Sequence, residues 1–276
     1  MLKLGQHNTL EILRKTSVGL YLGDQEGNDI LLPNKYCSPE MEIGSNIEVF
    51  VYKDHEQRWV ATTLSPAVKV NEFAYLRVKS ISDIGAFLDW GLEKDLFVPF
   101  REQNIKMERG QSYVIFLYED PQTQRLVASA KLNRFFQNDK IDIAPGSLVD
   151  LLVFETTPLG FNVIIDQRFK GLIYHADIYQ KINIGDQLQG YIKLIREDGG
   201  IDISLQAKGL KRLETGAEKI IEHLKQNKGF VNLTDKSSPE EILSKFQMSK
   251  KNFKQSVGIL FKQRLIRIET DGIYLL

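Results

Sequence analysis

The sequence predicts a mainly β chain that ends in an α+β domain: three small OB-type barrels in tandem, followed by a winged helix-turn-helix. Three observations carry that expectation. One unit of roughly 65 residues is used three times. Its apolar runs are four to six residues long, β-branched or aromatic, and bounded by Gly, Asp or Asn, as strands are. After Gly209 the apolar spacing changes to that of an amphipathic helix. The expected domain limits are 1–66, 67–140, 141–208 and 209–276.

The repeats align element by element. The first has Val18–Leu22, Asn28–Pro33, Ile43-Gly44, Val49–Asp54 and Arg58–Thr62. The second has Ile84–Leu88, Lys94–Pro99, Arg109-Gly110, Ile115–Asp120 and Arg125–Ser129. The third has Leu159–Val163, Lys170–Tyr174, Ile184-Gly185, Gly190–Leu194 and Ile201–Ser204. Asp54–Arg58, Asp120–Arg125 and Glu197–Gly200 read as hairpin tips. Five short strands suit a closed barrel, because closure removes edges that so small a sheet could not protect. Lys131–Phe136 reads as a short connecting helix.

In the last segment Leu213, Ala217, Ile220, Ile221 and Leu224 mark one helix face, which ends near Lys228-Gly229. Phe230–Leu233 reads as a short strand. Ser238-Pro-Glu-Glu241 opens a second helix with a capping box and a first-turn proline. Ser249 caps a third helix reaching to about Arg264. A hairpin, Leu265–Ile268 and Ile273–Leu275, turns around Asp271-Gly272, a two-residue turn signal. In the third helix Phe253, Val257, Leu260 and Phe261 form the expected buried stripe. Lys251, Gln255, Gly258 and Lys262 lie opposite. Gly258 costs about 1 kcal/mol against Ala in a helix interior, which either close approach of another backbone or chance explains.

Charge sharpens this picture. The chain has 36 basic and 36 acidic residues and a net charge of zero. Residues 207–276 nevertheless carry 14 Lys and Arg against 8 Asp and Glu, and 1–206 carry 22 against 28. No acidic residue occurs between Ile242 and Ile268, whereas Lys245, Lys250, Lys251, Lys254, Lys262, Arg264 and Arg267 do. A single-sign face on a recognition helix suits phosphate contacts, here Lys250, Lys251, Lys254, Lys262 and Arg264.

Other chemistry finds little support. The longest apolar run, Tyr113–Tyr118, is far short of the roughly 20 residues that span a membrane. No signal peptide is evident, so a cytoplasmic protein is expected. One cysteine, Cys37, excludes an internal disulfide framework and multi-thiolate metal sites. The four histidines, His7, His55, His175 and His223, are scattered, and neither a phosphate-binding loop nor a nucleophile elbow occurs. Cys37 lacks a nearby base, and Glu240-Glu241 is explained by its helix N-terminus. No enzyme activity, metal or cofactor is expected.

Ile84–Leu88 and Lys170–His175 resemble the signature segments of S1-type RNA-binding domains, which implies single-stranded RNA across that sheet face. By this resemblance Tyr21 and Phe87 match the stacking aromatic, Tyr174 the aromatic of the Gly-Leu segment, and Asp54/Arg58 and Asp120/Arg125 the hairpin pair. Leu32 and Val98 stand at the aromatic-or-His position of the first two units. Asn162 replaces the aromatic of the third, with Phe161 beside it on the opposite pleat, and that unit also lacks the hairpin pair. An isolated strand aromatic is commonly barrel core. The repeat position and a nearby arginine favour an exposed role for Phe87 and Arg125, while Asp54 and Asp120 read as turn initiators. An exposed ring holds a base at about 1–3 kcal/mol with little sequence preference, and an arginine beside it neutralises phosphate or stacks. The candidate RNA contacts are therefore Tyr21, Arg58, Phe87, Arg125, Phe161 and Tyr174.

The tail is more specific. Asp235–Ile242, Phe246–Lys254 and Gly258–Lys262 resemble the winged-helix region of the conserved virulence factor B family, and Gly85–Pro99 is similar to that family too. The resemblance implies a bacterial RNA-binding protein that affects gene expression, with virulence genes as a readout in pathogens. Duplex DNA read by the winged helix, or a ribosomal or nucleolytic protein partner, remains an alternative.

Overall fold

The computed structural model describes residues 2–24, 26–206 and 209–276, with only the backbone for 209–215. It falls into two compact units, 1–136 and 137–276.

The first unit opens with β1 (Gln6–Lys15), β2 (Gly19–Gly23), β3 (Asp29–Pro33), β4 (Asn46–Lys53) and β5 (Trp59–Thr62). They form a closed barrel of order β1-β2-β3-β5-β4, sealed by a parallel seam where Leu31 faces Val60. Then come β6 (Phe73–Ile81), β7 (Gly85–Asp89), β8 (Leu96–Pro99), β9 (Ser112–Glu119) and β10 (Leu126–Ser129). These keep the same order, but β8 and β10 do not pair, so the second barrel is nearly closed. Just past the strand ends the Ala130 N–H donates to the Glu102 carbonyl at 2.8 Å, bridging that seam. The expected connecting helix is a single 3-10 turn, Leu132–Phe135.

The second unit repeats the barrel with β11 (Leu148–Thr157), β12 (Gly160–Ile165), β13 (Phe169–Tyr174), β14 (Gln187–Ile195) and β15 (Ile201–Ser204), again closed. The hairpin tips fall where the sequence suggests them: Asp54, Asp120 and Arg196 N–H groups donate to Arg58, Arg125 and Gly200 carbonyls at 2.8–2.9 Å.

Two glycines per repeat fix the geometry. A Cβ on Gly19, Gly85 or Gly160 would stand 2.1, 2.3 or 1.9 Å from the carbonyl oxygen of Leu32, Val98 or Ile173. Only glycine lets the second and third strands approach so closely. Gly44, Gly110 and Gly185 have φ of 87°, 84° and 93° and donate to Ile12, Val78 and Val153. Those carbonyls sit at the β-bulge that each first strand carries in its pairing with the second.

The terminal domain is α1 (Gly209–Gln226), β16 (Phe230–Val231), α2 (Pro239–Phe246), α3 (Lys250–Lys262), β17 (Ile266–Ile268) and β18 (Ile273–Leu275), with sheet order β16-β18-β17. Ala217, Ile220 and Leu224 are buried and Ile221 packs against them, whereas the Leu213 side chain lies outside the described residues. The Ser238–Glu241 capping box and the Ser249 cap both form.

Two expectations about this domain need correction. Phe261 is 56% exposed, so the buried apolar residues of α3 are Phe253, Val257 and Leu260, with Asn252 and Ser256 buried beside them. The tip of the β17–β18 hairpin is also shifted by one residue: the Glu269 N–H donates to the Gly272 carbonyl at 2.8 Å and encloses Thr270-Asp271. Gly272 is needed there for room: a Cβ would lie 2.3 Å from the Val231 carbonyl oxygen.

Strand alternation sends every second residue into its barrel. The residues between them point outward, and some of these on the first, fourth and fifth strands are covered too, while others such as Thr9, Glu11 and Tyr75 are exposed. Phe50, Tyr52 and Val60, outside the first barrel, join the core of the second, with the Phe50 and Trp90 rings 5.8 Å apart. Lys94 Nζ donates to the Lys53 and Asp54 carbonyls at 2.9 and 2.7 Å. Outside the second barrel, Phe73 and Phe116 are stacked upon by Phe136 and Phe135.

Because Phe50 belongs to both barrels, Phe50→Ala should cost about 3–5 kcal/mol and loosen both. Hydrogen exchange is expected to speed up by a similar factor in β1–β5 and β6–β10. Acceleration confined to β1–β5 would show the barrels to be energetically separate.

Candidate nucleic-acid interface

Apart from these packed residues, each barrel has the outer side of its second and third strands. The backbone register defines which residues meet there. In the first barrel Arg14 faces Tyr21, which faces Leu31. In the second Ser80 faces Phe87, which faces Phe97. In the third Glu155 faces Asn162, which faces Leu172. One scaffold thus presents three different chemistries.

The first surface is aromatic and cationic. The Arg14 guanidinium lies 4.1 Å from the centroid of the half-buried Tyr21 ring and is also held by Asp29 at 2.7 Å. The second is aromatic and uncharged. Phe87 and Phe97 are half-buried, their centroids 5.1 Å apart, and Ile84 and Phe100 are exposed. The third is polar and acidic, with the Asn162 amide donating to the Glu155 carboxylate at 2.6 Å.

This register corrects the repeat alignment. Gly19, Gly85 and Gly160 face Pro33, Pro99 and Tyr174, so Tyr174 corresponds to the two prolines. Leu32 and Val98 correspond to Ile173, and all three are buried in their barrels. Tyr174 is half-buried on the outer side, 6.0 Å from Lys193 Nζ, which also pairs with Asp177 at 2.5 Å. Phe161 faces Ile173 and packs against the third core, its ring edge-on to His175 at 5.8 Å. Phe161 therefore shares no face with Asn162 and Tyr174.

The hairpin arginines differ from each other. Arg58 grips Asp54 through Nη2 and Nε at 2.7 and 2.9 Å and also reaches Glu56 at 2.9 Å. Burial raises the Asp54 carboxyl, but hydrogen bonds from the Arg58 side chain and backbone outweigh it and hold the group below its ordinary value. Arg125 does not pair with Asp120 as expected. Arg101 does, at 2.9 Å, and Asp120 also accepts the backbone N–H of Gln122 at 2.8 Å as a turn initiator. Arg125 is exposed. Those backbone bonds, led by Gln122, and Arg101 depress the Asp120 carboxyl against the opposing effect of burial.

Sequence reasoning missed Arg14, Phe97, Phe100 and Arg101. Phe97 could have been found by anchoring the alignment on Gly85 and its partner Pro99.

On α3, Lys251, Lys254 and Lys262 are exposed and Lys250 is half-buried. Lys254 lies 3.5 Å from Asp235 and Lys250 donates to the Lys236 carbonyl at 3.4 Å. Among the described residues Lys251 and Lys262 have no ion-pair partner. Arg264, exposed, follows the helix with φ 58°. Gly258 faces open space, so no backbone of this chain explains it. The described residues contain no cluster able to hold a metal and no helix long and apolar enough to cross a membrane.

Comparison with known proteins agrees with this geometry. The S1 domain model matches residues 4–64 and 72–131, and the CvfB-like winged helix domain model matches 218–275. YitL of Bacillus subtilis is 27% identical, over 98% of this chain and 93% of its own. Conserved virulence factor B of Staphylococcus aureus is 24% identical, over 86% of this chain and 81% of its own. A crystallised multidomain protein with nucleic acid binding domains from Streptococcus pneumoniae is 25% identical, covering 99% of this chain and 98% of that one at a TM-score of 0.45. Two S1 domains followed by a CvfB-like winged helix domain, together with these relatives, support the conserved virulence factor B family for this chain, and its domains are of nucleic-acid-binding type.

Proposed function

We propose that the protein is a non-catalytic, cytoplasmic RNA-binding regulator of gene expression. Single-stranded RNA lies over the outer β2–β3 and β7–β8 surfaces, and the basic tail adds phosphate affinity. The observation that carries this is the outward Phe87–Phe97 pair on an uncharged surface, in a chain whose terminal helix exposes Lys251 and Lys262 with no ion-pair partner among the described residues. Flat rings without charge hold bases of any sequence, and unpaired cations bind phosphates. Tyr21, capped by Arg14, supplies a second stacking position. The acidic Glu155 beside Asn162 makes the third barrel the weakest of the three toward RNA, with Tyr174 and Lys193 at its margin. Arg125 and, once released from Asp54, Arg58 contact the strand from the hairpin tips. Lys250, Lys254 and Arg264 extend the tail contact, within domain limits of 1–66, 67–140, 141–208 and 209–276. The name conserved virulence factor B given to a relative fits a regulator whose targets include virulence genes.

Binding of unpaired RNA measured at several salt concentrations tests this. If the tail neutralises about five phosphates, log K should fall with log salt at a slope of roughly −3.5, and Lys251→Gln with Lys262→Gln should flatten it by about 1.4. An unchanged slope removes the tail from the interface. Phe87→Ala is expected to weaken binding by about 1–3 kcal/mol with the slope retained; unaltered affinity would reject the platform. Tighter binding of matched duplex DNA than of unpaired RNA would favour the winged helix as a DNA reader. RNA binding undetectable at any salt would leave a protein partner as the function.

Gly258 gives an independent check. Gly258→Ala should stabilise the terminal domain by about 1 kcal/mol in a thermal or urea melt, because the new methyl meets nothing. Affinity for RNA should nevertheless fall if the strand lies against that bare turn of helix. Stabilisation with full affinity would put the strand elsewhere.

A further inference from the structure

Between the outer side of β11–β14 and the helices α1 and α3, within the second unit, lies a half-enclosed recess of about 240 Å³. It is on the other side of the barrel from Asn162 and Leu172, so the surface described above does not include it. Its walls combine Tyr191 and the buried Met248 with Gln189, Gln206, Gln247 and Asn252, and Lys219 stands at its rim. Among the described residues no carboxylate lines it, although Gln189 Nε2 donates to Asp150 at 3.0 Å, which leaves the Gln189 amide oxygen to the recess.

Asn252 is the unusual member. It is 3% exposed, and its Oδ1 has no hydrogen-bond partner among the described residues. A buried amide oxygen left unpaired costs about 1–3 kcal/mol, so the site is short of one N–H donor. Asn252 is one of the residues that line the recess, and its terminal torsion is broad. The close packing that holds Asn252 here is built in. Gly216 meets α3 so tightly that a Cβ would lie 2.3 Å from Ser256 Oγ and 3.5 Å from Asn252 Oδ1.

We propose that this recess binds one unstacked nucleobase, as a second site beyond the stacking surfaces of the barrels. Side-chain amides both donate and accept, which matches the mixed edge of a base. A ring and a thioether supply its apolar faces, and Lys219 meets the attached phosphate. The base can belong to a free nucleotide or to a strand, and the two sources are separated below.

The four ribonucleoside monophosphates, titrated separately into the full-length protein by calorimetry or NMR, test the site. At least one should bind saturably, with about tenfold discrimination among bases. Gln189→Ala with Gln206→Ala, both at solvent-reaching positions, should weaken it by about tenfold, and Lys219→Gln should weaken the monophosphate more than its nucleoside. Phe87→Ala should leave monophosphate binding intact, which keeps this site distinct from the proposed RNA surface even if that surface fails. Displacement of the monophosphate by a short single-stranded RNA assigns the base to a strand, and persistence assigns it to a free nucleotide. No saturable binding by any of the four, or binding lost with Phe87→Ala but kept in the glutamine double variant, overturns the proposal.

Discussion

The coverage of one outer side of each barrel governs what the rest of the molecule can do. A barrel of five short strands buries its inward residues and turns the alternate ones outward. Here some outward residues of the first, fourth and fifth strands are put to use as packing surface. Phe50, Tyr52 and Val60 enter the core of the second barrel, and Phe73 and Phe116 receive Phe135 and Phe136. In the third barrel the same side, through Leu148 and Tyr191, faces α1 and α3. The outer side of the second and third strands carries the half-buried rings of Tyr21 and Phe87.

That division also separates the forces available for binding. The Phe87–Phe97 surface has no charge of its own. The nearby Lys79 and Arg101 are occupied by Asp95 and Asp120 at 2.8 and 2.9 Å. Its contribution is dispersion and desolvation, which salt barely affects. Lys251 and Lys262 are the reverse: exposed, without an ion-pair partner among the described residues, and effective only through screened attraction. Arg14 and Tyr21 combine both forces in one place. A strand that engaged all three would gain affinity from stacking and from charge without needing a sequence-specific contact.

Much of this was legible in the sequence because backbone constraints repeat more faithfully than surfaces do. Gly19, Gly85 and Gly160 are forced by the closeness of a neighbouring carbonyl, and Gly44, Gly110 and Gly185 by positive φ. These, with alternating apolar residues, announce a barrel. The Ser238 and Ser249 caps announce α2 and α3 for the same reason: each satisfies helix N–H groups that have no other partner. What failed to show was which side chains meet. The Tyr174 position was matched to Leu32 and Val98 because one residue of slip leaves the apolar pattern plausible, yet it turns a residue from outer face to core. Arg101 competes with Arg125 for Asp120 across a strand, and sequence spacing favours the nearer arginine. Phe261 continues the helical spacing of Phe253 and Leu260, but the domain has no further element to cover it.

The same contrast explains how three copies of one barrel can serve different ends. The positions that fix the fold point inward or carry no side chain, so the outward triplets are free to diverge. Arg14, Tyr21 and Leu31 became Ser80, Phe87 and Phe97 in one copy and Glu155, Asn162 and Leu172 in the other. The third copy lost the ring and gained a carboxylate, which disfavours phosphate at the face the other two leave open. It retains its outer β11–β14 side, where amides from the barrel and from α3 converge beside Tyr191. A copy relieved of stacking on one face can be retained for what it builds on the other, and there its partner is the terminal domain.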